Sequence, residues 1–75
     1  MPIDIVLPES MAPGTLAEWL KREGDSVKPG DVIARIETDK ASMDIESEHD
    51  GVLTKIIVPE GTVDIAADTV LAILT

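Results

Sequence analysis

Shifted by 37 positions, the sequence falls on itself: Gly14 lands on Gly51, Leu16 on Leu53 and Leu20 on Ile57. Glu23-Gly24 then falls on Glu60-Gly61, Asp31 on Asp68, Ile33 on Val70 and Ile36 on Ile73. Turn glycines, acidic residues and aliphatic positions recur together, which is the mark of a duplicated unit. A unit this short cannot bury an apolar face alone, so two copies are expected to pack face to face. The architecture this implies is all-β: a flattened β-barrel or sandwich of two four-stranded sheets related by a quasi-twofold axis.

The local pattern agrees. Short apolar segments alternate with turn signals along the chain, as in an all-β domain. Ile3, Ile5 and Leu7 share one face of a first strand that Pro8 ends, and Glu9 to Gly14 reads as a loop. Thr15 to Leu20 fits a strand or a helical turn, and Gly14 before it with Gly24-Asp25 after it favours the strand. Val27 lies in a very short extended piece, and Pro29-Gly30 makes a turn. Strands are expected over 32–37, 42–46, 52–58 and 69–74, with Met43 and Ile45 facing inward and Pro59-Glu60-Gly61 as a turn. No linker or low-complexity stretch interrupts this, so residues 1–75 are read as one domain.

A chain of 75 residues has a modest core and often needs staples. With no cysteine, disulfides, Cys-based zinc sites and thiol catalysis are excluded. Aliphatic packing must supply the stability, and 44% hydrophobic residues make that feasible. Fifteen acidic side chains against six basic ones give a net charge of −9. Phosphate binding needs Lys and Arg, so nucleic acid and anionic membrane surfaces are poor partners. An acidic surface suits solubility and steering toward basic patches on proteins. The opening residues lack the features of a signal or transit peptide. No apolar run approaches the about 20 residues of a membrane span. A soluble, monomeric domain in a reducing compartment is expected.

The repeat breaks at one place. The first copy continues into Glu37-Thr38-Asp39-Lys40-Ala41-Ser42-Met43-Asp44, a hairpin projecting from the first half. Its tip is Asp39-Lys40, although two-residue hairpin loops prefer Asn-Gly or Asp-Gly. Lysine gains nothing for such a turn, and a type I turn tolerates it at some mismatch with strand twist. An exposed lysine in a loop is an ordinary surface residue; its setting singles this one out.

That setting closely resembles the lipoylation motif of lipoyl domains from 2-oxo acid dehydrogenase complexes, in which Asp-Lys-Ala stands between an acidic-Thr lead-in and a Met-Asp or Met-Glu exit. Gly14-Thr15-Leu16, Trp19-Leu20, Glu23-Gly24-Asp25, Val27 to Val32 and Glu60-Gly61 also look like positions of that family, so the resemblance covers essentially the whole chain. It implies lipoic acid in amide linkage to Lys40, placed there by a lipoate-attaching enzyme. The arm would be reductively acylated at a thiamine-dependent 2-oxo acid decarboxylase and pass its acyl group to coenzyme A at an acyltransferase catalytic domain. It would be reoxidised by dihydrolipoyl dehydrogenase. The domain presents the arm and is not itself an enzyme.

Asp39 and Ala41 resemble recognition flanks of the modified lysine, and Glu37, Met43 and Asp44 would help position the hairpin. Glu9, Ser10 and Met11 belong to the loop that the family uses for recognition by the decarboxylase. That loop is shorter here than in many relatives of this kind, which bears on partner and substrate identity. The motif is most similar to that of the N-terminal domain of a pyruvate dehydrogenase acetyltransferase subunit, although some bacterial decarboxylase subunits carry such a domain. A bacterial cytoplasm, or a mitochondrial matrix for a processed eukaryotic fragment, is the expected location.

Two other readings are weighed. A biotin carrier shares the expected fold but has methionine on both sides of its lysine, where this chain has Asp39 and Ala41. The lipoyl protein of glycine cleavage is longer. A β-sandwich used only for protein binding would carry no modification at Lys40. Elsewhere, His49 beside Asp50 lacks a nucleophile and reads as a turn residue. Asp44, Glu46, Glu48 and Asp50 alternate on one solvated face without the loop spacing of a calcium site. Trp19, the sole aromatic residue, is expected to pack in or against the core.

Overall fold

The computed structural model describes residues 2–75, so Met1, at the head of the segment read for targeting signals, lies outside the described residues. Seven strands form: β1 (Ile3–Val6), β2 (Thr15–Trp19), β3 (Ser26–Val27), β4 (Val32–Glu37), β5 (Ser42–Glu46), β6 (Gly51–Ile56) and β7 (Val70–Leu74). A single 3₁₀ turn covers Glu9–Met11, inside the segment expected to be a loop. β4 and β5 have the expected limits, whereas β6 stops at Ile56 and leaves Ile57 exposed. No helix among the described residues is long and apolar enough to cross a membrane.

All pairings are antiparallel. One sheet has the order β1-β7-β6-β3, the other β2-β4-β5. A fourth member of the second sheet is reduced to one bridge, between Gly14 and Ile65. The two inner faces enclose aliphatic side chains. Leu7, Leu16, Ile36, Ile45, Val58, Ile65 and Leu71 form one cluster, and Val27, Ile33, Leu53, Ala72 and Leu74 the other. Ile5 and Trp19 pack against both and join them. The Trp19 indole N–H donates to the Val58 carbonyl at 2.8 Å, so the polar end of the ring is satisfied where its body is half-buried.

The expected twofold relation is present in the hydrogen bonds. Gly24 N–H donates to the Leu53 carbonyl at 2.7 Å, and Gly61 N–H to the Leu16 carbonyl at 2.8 Å. Leu53 N–H donates to Asp25 and Leu16 N–H to Thr62, both at 2.9 Å. These are one pair of contacts made twice, and each crosses from one half to the other.

Beyond Thr62 the expected alignment needs correction. Trp19 lies opposite Ala34, and its counterpart Ile56 lies opposite Ala72, so the third segments of the two halves match at a shift of 38. Ile33 corresponds to Leu71 and Ile36 to Leu74, all buried, and not to the half-buried Val70 and Ile73. Gly30, at φ 89°, corresponds to Asp68, at φ 65°. The extra residue enters as a β-bulge. Leu16 pairs with Gly61 and Thr62, Gly14 pairs with Ile65, and Thr15 between them faces both Val63 and Asp64. In the other half the pairing is one to one, Ser26 with Val52 and Val27 with Gly51. The bulge also explains the second sheet's missing strand, because an interrupted ladder leaves only the Gly14–Ile65 bridge.

Candidate functional site

β4 and β5 run antiparallel from Val32 opposite Glu46 to Glu37 opposite Ser42, and that register leaves four residues, Thr38 to Ala41, to reverse the chain. Thr38 holds the reversal together. Its N–H donates to the Ala41 carbonyl at 2.9 Å, and its hydroxyl donates to the same oxygen at 2.9 Å. The hydroxyl oxygen in turn accepts the N–H groups of Lys40 at 3.3 Å and Ala41 at 3.2 Å. Threonine side chains close such turns by standing in for a backbone carbonyl. The non-glycine residues with positive φ among those described are Asp64 and Asp68, so the Asp39-Lys40 turn is of the unprimed kind. A turn that mismatches the strand twist is thus pinned by one side chain.

Asp39, Lys40 and Ala41 are exposed at the tip. Lys40 makes no salt bridge among the described residues, so its amine projects from the fold with no structural partner. Beside it lies a depression of about 260 Å³ lined by Ser10, Ala12, Pro13, Thr38, Asp39, Lys40 and Met43. The β1–β2 loop therefore reaches the lysine hairpin although Lys40 is thirty residues away from Ser10 in sequence.

The residues expected at the site are only partly gathered there. Ser10 lines the depression, whereas Glu9 is exposed on the same 3₁₀ turn and Met11 packs half-buried against the core. Glu37 is exposed at the end of β4. Asp44 is turned along the sheet, where its carboxylate takes Arg35 Nε at 3.3 Å. Arg35 also approaches Glu18 at 3.9 Å, so Asp44 has a structural neighbour as well as exposure. His49 sits in the exposed β5–β6 turn, with its backbone tied to Ser47, and is not among the residues lining the Lys40 depression. Thr38, Ala12 and Pro13 were not singled out from sequence. A Thr two residues before the tip lysine is the signal that marks Thr38; nothing local marks the other two.

A quasi-twofold β-sandwich that holds out an exposed lysine on a pinned hairpin fits the scaffold of a carrier domain. The biotin–lipoyl family model, described as "Biotin-requiring enzyme", matches residues 7–74, and the chain belongs to that family as a lipoyl-type carrier domain. The chain is 49% identical over 78 residues to the dihydrolipoyllysine-residue acetyltransferase component of the pyruvate dehydrogenase complex of Rickettsia typhi, covering all of this chain and 19% of the relative. It is 55% identical over 67 residues to the mitochondrial counterpart of Saccharomyces cerevisiae, covering 89% of this chain and 14% of the relative. The chain thus spans about a fifth or less of the length of these curated relatives. Among solved structures, the lipoyl domain of the 2-oxoglutarate dehydrogenase complex from Azotobacter vinelandii superposes with a TM-score of 0.76 at 42% identity, covering 97% of this chain and 95% of that one. Family membership of this kind implies covalently attached lipoic acid as the cofactor.

Proposed function

We propose that Lys40 is the residue that carries lipoic acid, and that the domain delivers the arm to the successive enzymes of a 2-oxo acid dehydrogenase complex. The observation that carries this reading is the hairpin tip: an exposed amine without a salt-bridge partner, at the end of a turn that Thr38 pins, within Glu-Thr-Asp-Lys-Ala. An attaching enzyme must enclose the whole lysine side chain, and a projecting tip permits that without unfolding anything.

The lipoyl group, when bound, would supply a disulfide able to take an acyl group on one sulfur and a proton on the other, to release the acyl group to coenzyme A, and to re-form when the dithiol gives up two electrons and two protons at dihydrolipoyl dehydrogenase. The chain's own part is to hold Nζ of Lys40 in amide linkage and to keep the tip in one geometry. Tethering then sets the local concentration of the arm at each partner. The partners in this reading are a lipoate-attaching enzyme, a thiamine-dependent decarboxylase, an acyltransferase domain and dihydrolipoyl dehydrogenase. Pyruvate is the favoured 2-oxo acid, because both curated relatives named above are pyruvate dehydrogenase components. An acetyltransferase subunit is the favoured parent, in a bacterial cytoplasm or a mitochondrial matrix. Residues 1–75 act as one domain in this reading, with Asp39 and Ala41 as recognition flanks and Glu9, Ser10, Met11, Glu37 and Asp44 facing the partners.

Intact-mass measurement after incubation with lipoate–protein ligase, ATP and lipoate tests the assignment. One lipoyl addition is expected on the parent chain and none on Lys40→Arg, which keeps the fold because the side chain is exposed and makes no salt bridge among the described residues. Addition to the variant would move the site elsewhere. No addition to either, followed by addition with biotin ligase, would replace lipoate by biotin.

A further inference from the structure

Leu7 and Ser47 occupy equivalent places in the two halves. Ile5 lies opposite Ala72 as Ile45 lies opposite Ala34, and Leu7 and Ser47 follow two residues further along. The backbone agrees: Leu7 N–H donates to Thr69 and Ser47 N–H to Asp31, while Asp68 N–H donates to Leu7 and Gly30 N–H to Ser47. Leu7 is fully buried in the cluster that holds Ile36 and Ile45. Ser47 is also buried, but its hydroxyl serves the β5–β6 turn. It donates to the His49 carbonyl at 2.7 Å and accepts the His49 N–H at 3.1 Å. The turn is pinned, and the core on that side lacks the volume that leucine fills in the other half.

That volume opens to solvent. A cavity of about 250 Å³ is lined by Ser47 with Ile3, Ile5, Ile33, Ile45 and Leu74. Ile5 is only half-buried, whereas its mate Ile45 is buried. Small-molecule sites run to about 300–1,000 Å³, so this space suits one inserted side chain better than a free ligand. It lies where β1, the edge of one sheet, faces β5, the edge of the other, and among the described residues neither has a strand on its outer side. Extended segments add to sheet edges of this kind, with pockets for alternate side chains setting which segment fits. Exposed carboxylates of Asp4, Glu46 and Glu48 stand on the rim, and His49 is the only lining side chain able to carry positive charge. A second copy of this chain, itself at net charge −9, is repelled from such a rim; a segment bearing lysine or arginine is attracted.

We propose that the seam between β1 and β5 is a docking site for an extended basic segment of another protein, which adds to an open sheet edge and places one aliphatic side chain in the cavity beside Ser47. Neighbouring side chains of a strand point to opposite faces. An aliphatic residue directed inward therefore has its lysine neighbours on the outer face, where Asp4 stands between the inward Ile3 and Ile5. The cavity shares no lining residue with the depression beside Lys40, so a segment docked here leaves the hairpin and its arm free. The site does not depend on what Lys40 carries.

The test follows isoleucine methyl resonances of the 75-residue chain during titration with the end-blocked pentapeptide Lys-Lys-Leu-Lys-Lys at low ionic strength. The methyls of Ile3, Ile5, Ile33 and Ile45 are expected to shift, and that of the exposed Ile57 to stay in place. A peptide with serine in place of leucine should bind about tenfold more weakly or worse, because the cavity is left empty. Ser47→Leu, which installs the residue that the other half uses, should weaken binding of the leucine peptide by a similar factor. Equal binding of the two peptides, or shifts spread over all the isoleucines, would reduce the contact to general charge attraction and overturn the proposal. So would the absence of binding at about 1 mM peptide. Should Ser47→Leu not fold, the leucine–serine comparison and the pattern of shifts on the parent chain decide on their own.

Discussion

Glu60 accepts the backbone N–H of Trp19 at 2.9 Å, reaching from the turn that follows β6 in the second half to the last residue of β2 in the first. Its counterpart Glu23 accepts the N–H of Ile56 at 2.8 Å. Each half thus caps the end of the other's strand with a carboxylate, and the recurrence of Glu-Gly in the sequence acquires a physical reason. Glycine gives the positive φ of the turn, and glutamate closes the neighbouring ladder. Glu23→Ala and Glu60→Ala are expected to lose about 1 kcal/mol each, the net worth of an exposed hydrogen bond to a charged group. In a domain this small that is a fall in Tm of about 5 °C, readable by circular dichroism. Variants melting with the parent would show that solvent replaces these carboxylates at no loss.

Thr38→Val removes the oxygen that receives two backbone N–H groups of the tip and keeps the shape of the side chain. The tip is exposed, so global stability should change by less than about 1 kcal/mol. The amides of Lys40 and Ala41 should exchange faster with solvent, and lipoylation should slow because the lysine is no longer held in one turn. Amide exchange together with ligase kinetics checks this; unaltered exchange at both amides would show that the hydroxyl is not the pin.

Gly14 and Gly51 occupy equivalent places but meet different neighbours. A Cβ on Gly14 would lie 2.6 Å from the Met11 carbonyl and 2.7 Å from Ile36 Cγ2, both held by surrounding structure. On Gly51 it would lie 2.9 Å from the Thr75 carbonyl and 3.0 Å from Leu74 Cγ, at the end of β7. Urea denaturation should therefore show Gly14→Ala losing about 2 kcal/mol or more and Gly51→Ala about 1 kcal/mol. The reverse order would mean that the β1–β2 loop yields more readily than the β7 end.

The correspondence of Gly30 with Asp68 predicts an unusual tolerance. A Cβ on Gly30 meets nothing within 4 Å, so only backbone conformation opposes substitution. Gly30→Asp, which installs the residue that the other half uses, should lose about 1 kcal/mol or less, whereas the β-branched Gly30→Val should lose about 2 kcal/mol. Equal losses for the two would remove the argument from symmetry.

Much of this was legible before any coordinates. β4 and β5 could be bounded from apolar pattern and turn signals, because Arg35 and Glu37 face water on either side of buried Ile36, and the lysine tip followed from their spacing. The one-residue slip in the repeat was not legible from glycines and acids. Val70 and Leu71 are equally plausible partners for Ile33 when only apolar character is compared. The sequence did contain a cue: Ile33-Ala34 and Leu71-Ala72 are aliphatic-alanine pairs, and alanine is needed where Trp19 and Ile56 cross the neighbouring strand. Asp68 concealed the match, since a left-handed position was filled by aspartate in one half and glycine in the other. The loop's approach to Lys40 was suggested by family resemblance alone, because no local pattern records which loops meet in space.

The twofold relation that matches β4 and β5 to β7 and β1 also says what stands in place of the lysine hairpin in the other half. Ile3 lies opposite Leu74 as Met43 lies opposite Ile36, so Pro2 and Thr75 stand where Ser42 and Glu37 stand. The paired strand ends at Ile3 and Leu74 are thus the symmetry mates of those at Met43 and Ile36, from which the Lys40 hairpin projects. Strand pairing is therefore alike at the two ends of the sandwich, and what tells them apart is what is added to it: the Lys40 hairpin, the β1–β2 loop beside it and the Val63–Asp64 bulge.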